Sequence, residues 1–531
     1  MSLFQQPADG MKKKPYTITT PIYYVNDVPH IGHAYTTVAA DILARFHRLD
    51  GWDVFFLTGT DEHGQKIQQA AQKNNEEPIA LANRVVKQFQ DLWKRMEISN
   101  DRFIRTSETS HKKVVTALME KVIAKGDIYL GEYEDWYCIP CEAFLTQTQL
   151  ENGQCPTCKR EVKKLKEESY FFRMSRYQKP LLEHFEKNPD WVSPPSRKNE
   201  ILSFINAGLR DLSVSRTTFD WGIPMPKVPL AKNKAASGKH IIYVWFDALI
   251  NYVSGLSWLE KPEQFKHYWS NTTHLMGKDI LRFHAVYWPT MLMAMDLPLP
   301  KKLFVHGWWT HEGEKISKSK GNVIDPFKII ETYGLDPFRY FLFREVPFGL
   351  DGDFSKKALV NRINSDLAND LGNLLSRTTK MVEKFCKGKT PLKPGKIDET
   401  DQALMDVSQR VVEETQSHIH DIQFSKALTA IWSLIGVANQ YLNKKAPWKL
   451  AKANKQKEVE NCLYHCLESL RIVALLTYPF MPTSSQEIWN RLGIPEKIAG
   501  QSLAQSAQWG RLKSGLTVTS GTPLFPRVES P

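Results

Sequence analysis

Three scarcities narrow the field for this 531-residue chain. No apolar run approaches the ~18 residues needed to cross a bilayer, and the amino-terminal stretch lacks the apolar core of a signal peptide. Neither a membrane protein nor a secreted one is expected. Cysteine is sparse, seven in the whole sequence. An odd number spread through a large chain argues against a disulfide framework and for a reducing, cytoplasmic setting. Negative charge is the minority sign: 58 Asp and Glu stand against 70 Lys and Arg, a net charge of +12 with a pI near 9.1. The excess suits a polyanionic partner such as nucleic acid. It also serves solubility, and charge alone does not separate the two. Apolar content of 42% and charged content of 24% are ordinary for a globular protein, and the length points to about two to four domains.

What the chain does carry is alternation. Strand-like runs recur, each closing on a polar or glycine cluster. Tyr16 to Val25 leads to His30. Val54-Phe55-Phe56-Leu57 runs into Gly59-Thr60-Asp61-Glu62-His63-Gly64, and Ile241 to Trp245 into Asp247. His274-Leu275-Met276 runs into Gly277-Lys278-Asp279, and Leu303-Phe304-Val305 into His306-Gly307. With helical patterns between them, these runs predict an α/β fold with a parallel sheet and ligands at the carboxyl ends of its strands. From about residue 360 the pattern changes. Leu359, Ile363, Leu367, Leu371 and Leu374 recur at helical spacing, as do Phe424 to Ala438 and Val459 to Ala474, which reads as an antiparallel helical bundle. The expected division is a loose tail (1–15), a split sheet domain (16–120 and 239–310), an insertion (121–238), a linking region (311–365), a helical domain (366–495) and a surface tail (496–531).

Three motifs carry chemistry. His30-Ile31-Gly32-His33 opens a helix containing Val38, Ile42 and Phe46. It puts two imidazoles on one face of a helix start, where backbone N–H groups attract anions, and Gly32 lets a ligand near the backbone. Taken alone the pair could be a surface feature or half of a metal site. Lys315-Ile316-Ser317-Lys318-Ser319, flanked by Gly313 and Gly321, offers two ammonium groups and two hydroxyls, and alone could be a solvated turn. Together they look like a clamp for a nucleoside triphosphate. Cys138-x2-Cys141 and Cys155-x2-Cys158, 13 residues apart, form two knuckles able to aim four thiolates at one point, the pattern of a closed structural zinc site. The alternatives are four free cysteines or a redox pair. Cys386, Cys462 and Cys466 lie in helical patterns and read as packing.

The first two motifs resemble the His-x-Gly-His and Lys-Met-Ser-Lys-Ser signatures of class I aminoacyl-tRNA synthetases. Longer segments are similar to the methionyl-tRNA synthetase family: Thr20 to Asn26, Gly59 to Gly64, Tyr243 to Ala248, Gly277-Lys278-Asp279-Ile280 with Phe283-His284, Gly372-Asn373-Leu374 to Arg377, and Ala446-Pro447-Trp448. The resemblance covers nearly everything from about 16 to 495. It implies a Rossmann-type catalytic domain with a zinc-knuckle insertion, then a helical anticodon-binding domain. It implies ATP-dependent attachment of L-methionine to tRNA(Met) through an adenylate. The catalytic residues would be His30, His33, Lys315 and Lys318. ATP would be held by Gly32, Gly277, Lys278, Asp279, His306, Gly307, Ser317 and Ser319, with Mg2+ alongside. Methionine would be held by Ile22, Tyr24, Asp61, Trp245, Ala248, Tyr252, Ile280 and His284, with Asp61 on its ammonium group and a Tyr or His donor near its sulfur. Asn373, Arg377 and Trp448 would read the anticodon, and Cys138, Cys141, Cys155 and Cys158 would hold one structural Zn2+. From the residues alone, Asp61 could equally cap a strand end, and Trp245, Ile280 and Trp448 could be core.

There are three departures from the family pattern. Ile316 stands where Met is common, an apolar exchange. A carboxyl-terminal dimerisation and tRNA-binding domain found in some members is missing, so a monomer is expected. The insertion is too small for a separate hydrolytic editing domain. Rival readings are a class I synthetase for another amino acid, a non-catalytic tRNA-binding paralogue, which should have lost a signature His or Lys, and a zinc-dependent nucleic-acid-binding protein, which would leave the nucleotide clamp unexplained.

Overall fold

The computed structural model describes residues 13–26, 28–139, 143–145, 147–156, 158–228, 239–311, 314–315 and 324–529. Two compact units can be distinguished. One comprises Pro15–Ala40 and Phe55–His306, and the other comprises Asp41–Val54 and the chain from Gly307 onward.

The first unit is built on a six-stranded sheet. Its order is Arg102–Arg105, Asp53–Asp61, Pro15–Tyr24, Thr272–Gly277, Lys302–His306 and Val192–Ser193. Pro15–Tyr24 runs parallel to Thr272–Gly277, which runs parallel to Lys302–His306. Asp53–Asp61 runs parallel to Arg102–Arg105. The central strands are buried along nearly their whole length, as expected where helices cover both faces of a parallel sheet. The helix Ile31–Leu49 follows the first strand, and its Val38, Ile42 and Phe46 are buried. Tyr24, Asp61, Gly277 and His306 end four neighbouring strands, so the polar clusters gather along the carboxyl edge of the sheet.

Two features of this unit depart from the sequence expectation. Ile241 to Trp245 is not a strand of the main sheet. Only Ile241–Ile242 is extended, paired antiparallel with Ser215–Arg216, and a helix begins at Val244. A short run that is apolar throughout has no period to tell strand from helix. The stretch 121–238 is also not a simple insertion, because its Val192–Ser193 supplies an edge strand to the main sheet. Two residues are too few to leave a pattern. The rest of the stretch centres on a long antiparallel pair, Ile128–Cys138 with Lys163–Phe172, flanked by Ala143–Leu145 and Leu212–Ser213.

The second unit is helical. Lys356–Arg362, Ile363–Gly372 and Asn373–Phe385 form one continuous helix whose middle segment has the wider π geometry. Its apolar residues, Leu359, Ile363, Leu367 and Leu371, recur every four positions and are all buried, a spacing that fits a wide turn. Glu399–His420, Phe424–Lys445, Gln456–Thr477 and Pro482–Arg491 complete the bundle. Asp398 caps the first of these in a reciprocal capping box with Asp401. Asp41, fully buried, accepts from Arg339 Nη2 at 2.6 Å and Arg45 Nε at 2.8 Å, while Arg339 also donates to the carbonyls of Pro479 and Phe480.

Residues 496–529, expected as a surface tail, are packed. Ile498, Leu503, Leu512, Val518 and Phe525 are buried. The buried carboxylate of Glu468 accepts from three successive backbone N–H groups, Gly510 at 2.6 Å, Arg511 at 3.0 Å and Leu512 at 3.1 Å. It also binds Arg471 through Nε at 2.8 Å and Nη2 at 2.6 Å. Arg471 in turn donates to the carbonyls of Ser506 and Gln508, and Tyr464 donates to that of Leu512. Ser, Gly and Pro in this segment suit a chain held by side chains from elsewhere, which leaves no periodic signal.

Candidate active site

The His30-to-His33 motif folds as a capping box made of imidazoles. His30 precedes the first residue of the helix, and its carbonyl accepts from His33 N–H and Ala34 N–H. Its Nδ1 accepts from Gly32 N–H at 3.1 Å, while His33 Nδ1 reaches back to His30 N–H at 3.1 Å. A backbone N–H can only donate, so both Nδ1 atoms accept and both Nε2 atoms carry the protons of the neutral rings. The rings stack at 3.9 Å. Burial among Tyr23, Phe89 and His30 holds His33 well below the usual histidine pKa, and neighbouring His30 adds to the effect. Two neutral N–H donors thus stand at a helix amino terminus, the geometry that receives an anion. Gly32 has a reason beyond ligand approach: a Cβ there would lie 2.9 Å from His30 Cε1, so a side chain would push the His30 ring off its cap.

A second group lies around Tyr252. His284 Nδ1 faces the Ile280 carbonyl at 3.0 Å, so it carries the proton, and Nε2 accepts from Tyr252 O–H at 2.8 Å. Burial lowers His284 to about 4, against the opposing pull of that carbonyl and of Asp279. Burial likewise raises the Tyr252 phenol. The pair is neutral, and both of its donors are spent internally, so the donor expected for a sulfur lone pair is already engaged. Trp245 stacks on Phe283 at 3.8 Å and 8°. Its Nε1 is buried without a hydrogen-bond partner among the described residues. Ile22, Tyr24, Trp245 and Ile280 are only partly buried yet pack on the main core, with Ala248 buried beside Asp247. Trp245 and Ile280 are therefore not the sealed core residues of the bland alternative. Lys66 sits 4.4 Å over the Tyr24 ring.

The Gly59-to-Gly64 cluster divides by direction. Asp61 ends its strand, and its carbonyl accepts from Val25 N–H. Glu62 turns inward and holds Arg105 through both oxygens, at 2.6 and 2.9 Å, with Thr60 and Ser107 also donating to it. His63 Nδ1 donates to Asp247 at 2.7 Å, and His111 Nε2 donates to the other Asp247 oxygen at 2.7 Å while its Nδ1 meets Ser254. Sequence reasoning missed this network because His63, His111 and Asp247 are far apart in the chain. Burial would raise Asp247, but His63 and His111 outweigh it and hold the carboxyl at about 2, below its ordinary 3.8. A carboxyl depressed by folding stabilises above its unfolded pKa and loses that contribution as pH falls toward the folded value. Between pH 6 and pH 3 the loss should be about 1 kcal/mol, and urea unfolding of Asp247→Asn should lack that increment. An identical pH dependence in the variant would remove Asp247 from the acid response.

Of the residues expected around a nucleotide, Gly277 closes its strand and Lys278–Ile280 form a short 3₁₀ turn. His306 Nε2 meets Thr36 Oγ1 at 2.8 Å, and its ring packs edge-on to Tyr35. Gly307 opens the helical unit, where a Cβ would lie 2.4 Å from the Leu350 backbone. Lys315 lies in the short strand Glu314–Lys315, paired with Trp309–His311. Ser317, Lys318 and Ser319 lie outside the described residues.

Cys138, Cys155 and Cys158 converge, their sulfurs within 4.8 Å of one another, with Cys138 and Cys158 at 3.4 Å. Cys141 lies outside the described residues. Thiols crowded in this way, those of Cys138 and Cys155 buried and that of Cys158 partly so, fit a thiolate-bound metal. In the helical unit, Asn373 is exposed and Arg377 follows one turn later. Arg377 Nη2 donates to Asn443 Oδ1 at 2.7 Å and its guanidinium lies 5.7 Å from the centre of the Trp448 ring. Trp448 is half-buried rather than core. It is turned there by Ala446, whose φ of 45° breaks the helix before Pro447.

Comparison with known proteins decides the family. The model described as "tRNA synthetases class I (M)" matches residues 16–166 and 160–379, and that of the "Anticodon binding domain of methionyl tRNA ligase" matches 392–530. The chain belongs to the methionyl-tRNA synthetase family. Methionine--tRNA ligase of Caldanaerobacter subterraneus subsp. tengcongensis is 51% identical over 97% of this chain and 79% of its own length. That of Bacillus subtilis is 48% identical over 97% and 78%. The Mycobacterium tuberculosis methionyl-tRNA synthetase, solved in complex with methionyl-adenylate, superposes with a TM-score of 0.90 at 43% identity, covering 97% of this chain and 100% of that one. The sheet with its polar carboxyl edge, the cysteine cluster and the helical bundle are thus those of a methionyl-tRNA synthetase fold. Among the described residues, no helix is long and apolar enough to cross a membrane.

Proposed function

We infer that this chain joins L-methionine to tRNA(Met) at the expense of ATP. Methionine carboxylate attacks the α-phosphorus, pyrophosphate leaves, and the terminal ribose hydroxyl of the tRNA then displaces AMP from the adenylate. The observation that carries the reading is the imidazole capping box in a chain of this family, which supplies two fixed N–H donors at a helix start. Transfer at phosphorus needs positioning and charge neutralisation more than covalent help. His30 and His33 would donate to phosphate oxygens as charge develops. Lys315 and Lys318, with Ser317 and Ser319, would neutralise the departing pyrophosphate. Gly32, Gly277, Lys278, Asp279, His306 and Gly307 would cradle the nucleotide, and Mg2+ would accompany it. Asp61 would take the methionine ammonium, and Ile22, Tyr24, Trp245, Ala248, Tyr252, Ile280 and His284 the thioether. With Tyr252 and His284 bonded to each other, selection there rests on shape and on polarisable contact between sulfur and rings. The setting would be the cytoplasm.

Zinc is the metal best suited to four thiolates in a closed site. Metal analysis should find about one zinc per chain, and Cys155→Ser with Cys158→Ser should lose it. Full retention would defeat the assignment.

Asn373, Arg377 and Trp448 would read the CAU anticodon, the indole stacking on an unpaired base. One lost stack is worth ~1–3 kcal/mol, so Trp448→Ala should weaken tRNA affinity roughly 10- to 100-fold while ATP–pyrophosphate exchange stays near normal. If the variant melts early and both activities fall together, Trp448 is a packing residue and the contact is wrong.

A further inference from the structure

His274 stands on Thr272–Gly277, an inner strand of the parallel sheet, and is fully buried where an aliphatic residue is the ordinary choice. The adenylation chemistry makes no use of it. Both of its ring nitrogens are engaged. Trp288 Nε1–H, which can only donate, lies 3.2 Å from His274 Nε2. The proton of the neutral ring is therefore on Nδ1, and it is donated to Thr19 Oγ1 at 2.7 Å. Thr19 and His274 are direct partners across the strand pair. Burial, with a further push from His284, holds the ring well below the usual histidine pKa, so the neutral tautomer persists. Cβ, Nδ1 and Nε2 are attachment points at separate corners of a flat ring, and together they fix its plane.

Tyr252 rests on the face of that ring. The two centroids are 4.1 Å apart and the planes meet at 32°. Tyr252 O–H then reaches His284 Nε2 at 2.8 Å, and His284 Nδ1 donates to the Ile280 carbonyl at 3.0 Å. A buried polar ring gains little stability from hydrogen bonds that replace those it made to water. Valine or leucine would fill the strand position without needing them. What the imidazole adds is a flat support, held at both edges, against one face of the phenol.

We propose that His274 is a positioning residue for amino-acid selection: its immobilised ring sets the tilt of Tyr252, through Tyr252 the seat of His284, and so the length of side chain that the site admits. The inference rests on the reading of Tyr252 and His284 as contacts of the methionine thioether, and His274 acts through those two residues. With a smaller side chain in its place, the phenol settles toward the sheet and the site deepens.

The test is ATP–pyrophosphate exchange by the full chain with two amino acids, methionine and ethionine, which is one methylene longer. His274→Val should raise KM for methionine and leave KM for ATP nearly unchanged. It should lower the methionine-to-ethionine ratio of kcat/KM by about 10-fold, the scale set by one methylene in an apolar pocket. Thr19→Val removes one anchor of the ring and keeps a β-branched strand residue. It should shift the ratio in the same direction by roughly 3-fold, and it decides the matter if His274→Val does not fold. A histidine that only packs would lower the melting temperature and both efficiencies together, so an unchanged ratio in the folded variants overturns the proposal. Tyr252→Ala controls for the underlying reading. If it leaves KM for methionine unchanged, the assignment of the thioether pocket fails, and the proposal with it. If it raises that KM while the His274 and Thr19 variants keep the unaltered ratio, only the positioning role fails.

Discussion

Replacing His33 with alanine is expected to slow methionyl-adenylate formation by about 10²- to 10³-fold, the usual cost of removing one well-placed donor to developing charge, while methionine affinity changes little. The ring does two things at once. Its Nδ1 caps the His30 N–H at 3.1 Å, which fixes the tautomer and leaves Nε2–H as the group offered outward. Desolvation among Tyr23, Phe89 and His30 keeps the ring neutral, so the donor is present across the physiological pH range. Alanine removes the donor and also exposes an orphaned N–H at the helix start. His33→Asn separates the two effects, because its amide can still accept from the His30 N–H and still donate, though from a shorter arm. Single-turnover adenylation should therefore rank wild type above Asn and Asn above Ala, with melting temperatures of wild type and Asn alike. An unchanged rate in His33→Ala would take this ring out of the chemistry.

Glu468→Ala should cost about 3–5 kcal/mol of stability and lower the melting temperature by roughly 10 °C. The substitution strands the Arg471 guanidinium in a buried site and leaves the N–H groups of Gly510, Arg511 and Leu512 without the carboxylate that now receives them. Farther along, Glu383 holds Ser520 and Arg491 holds Thr522, so the stretch around residues 506–512 should become the first place cut by a protease. Urea unfolding and limited proteolysis read the two effects separately. A variant with wild-type stability and an uncut carboxyl-terminal segment would show that the buried ion pair does not hold this region.

Periodic and motif-borne features were legible in the sequence, and features made by distant side chains were not. The four-residue recurrence of Leu359, Ile363, Leu367 and Leu371 announced a helix, and all four are buried. The strand runs ending at Asp61, Gly277 and His306 announced a parallel sheet with a polar edge. The cysteine spacing announced a cluster, and three of its thiols converge. By contrast, Ile241 to Trp245 is apolar throughout and so had no period to betray the helix that starts at Val244. The Asp247 bridge between His63 and His111 joins three separate segments, and no local pattern predicts such a meeting. The same holds for Glu468, which captures a Ser- and Gly-rich segment whose composition resembles that of a free tail. At the signature motif the residue types were plain, but the reciprocal cap that sets both imidazole tautomers depends on hydrogen-bond direction, which only coordinates supply.

The central claim is that this chain activates methionine. The most direct test is ATP–pyrophosphate exchange measured with each of the amino acids in turn. Methionine alone should support rapid exchange, with the others at background. Exchange driven best by a different amino acid, or by none, would contradict the account.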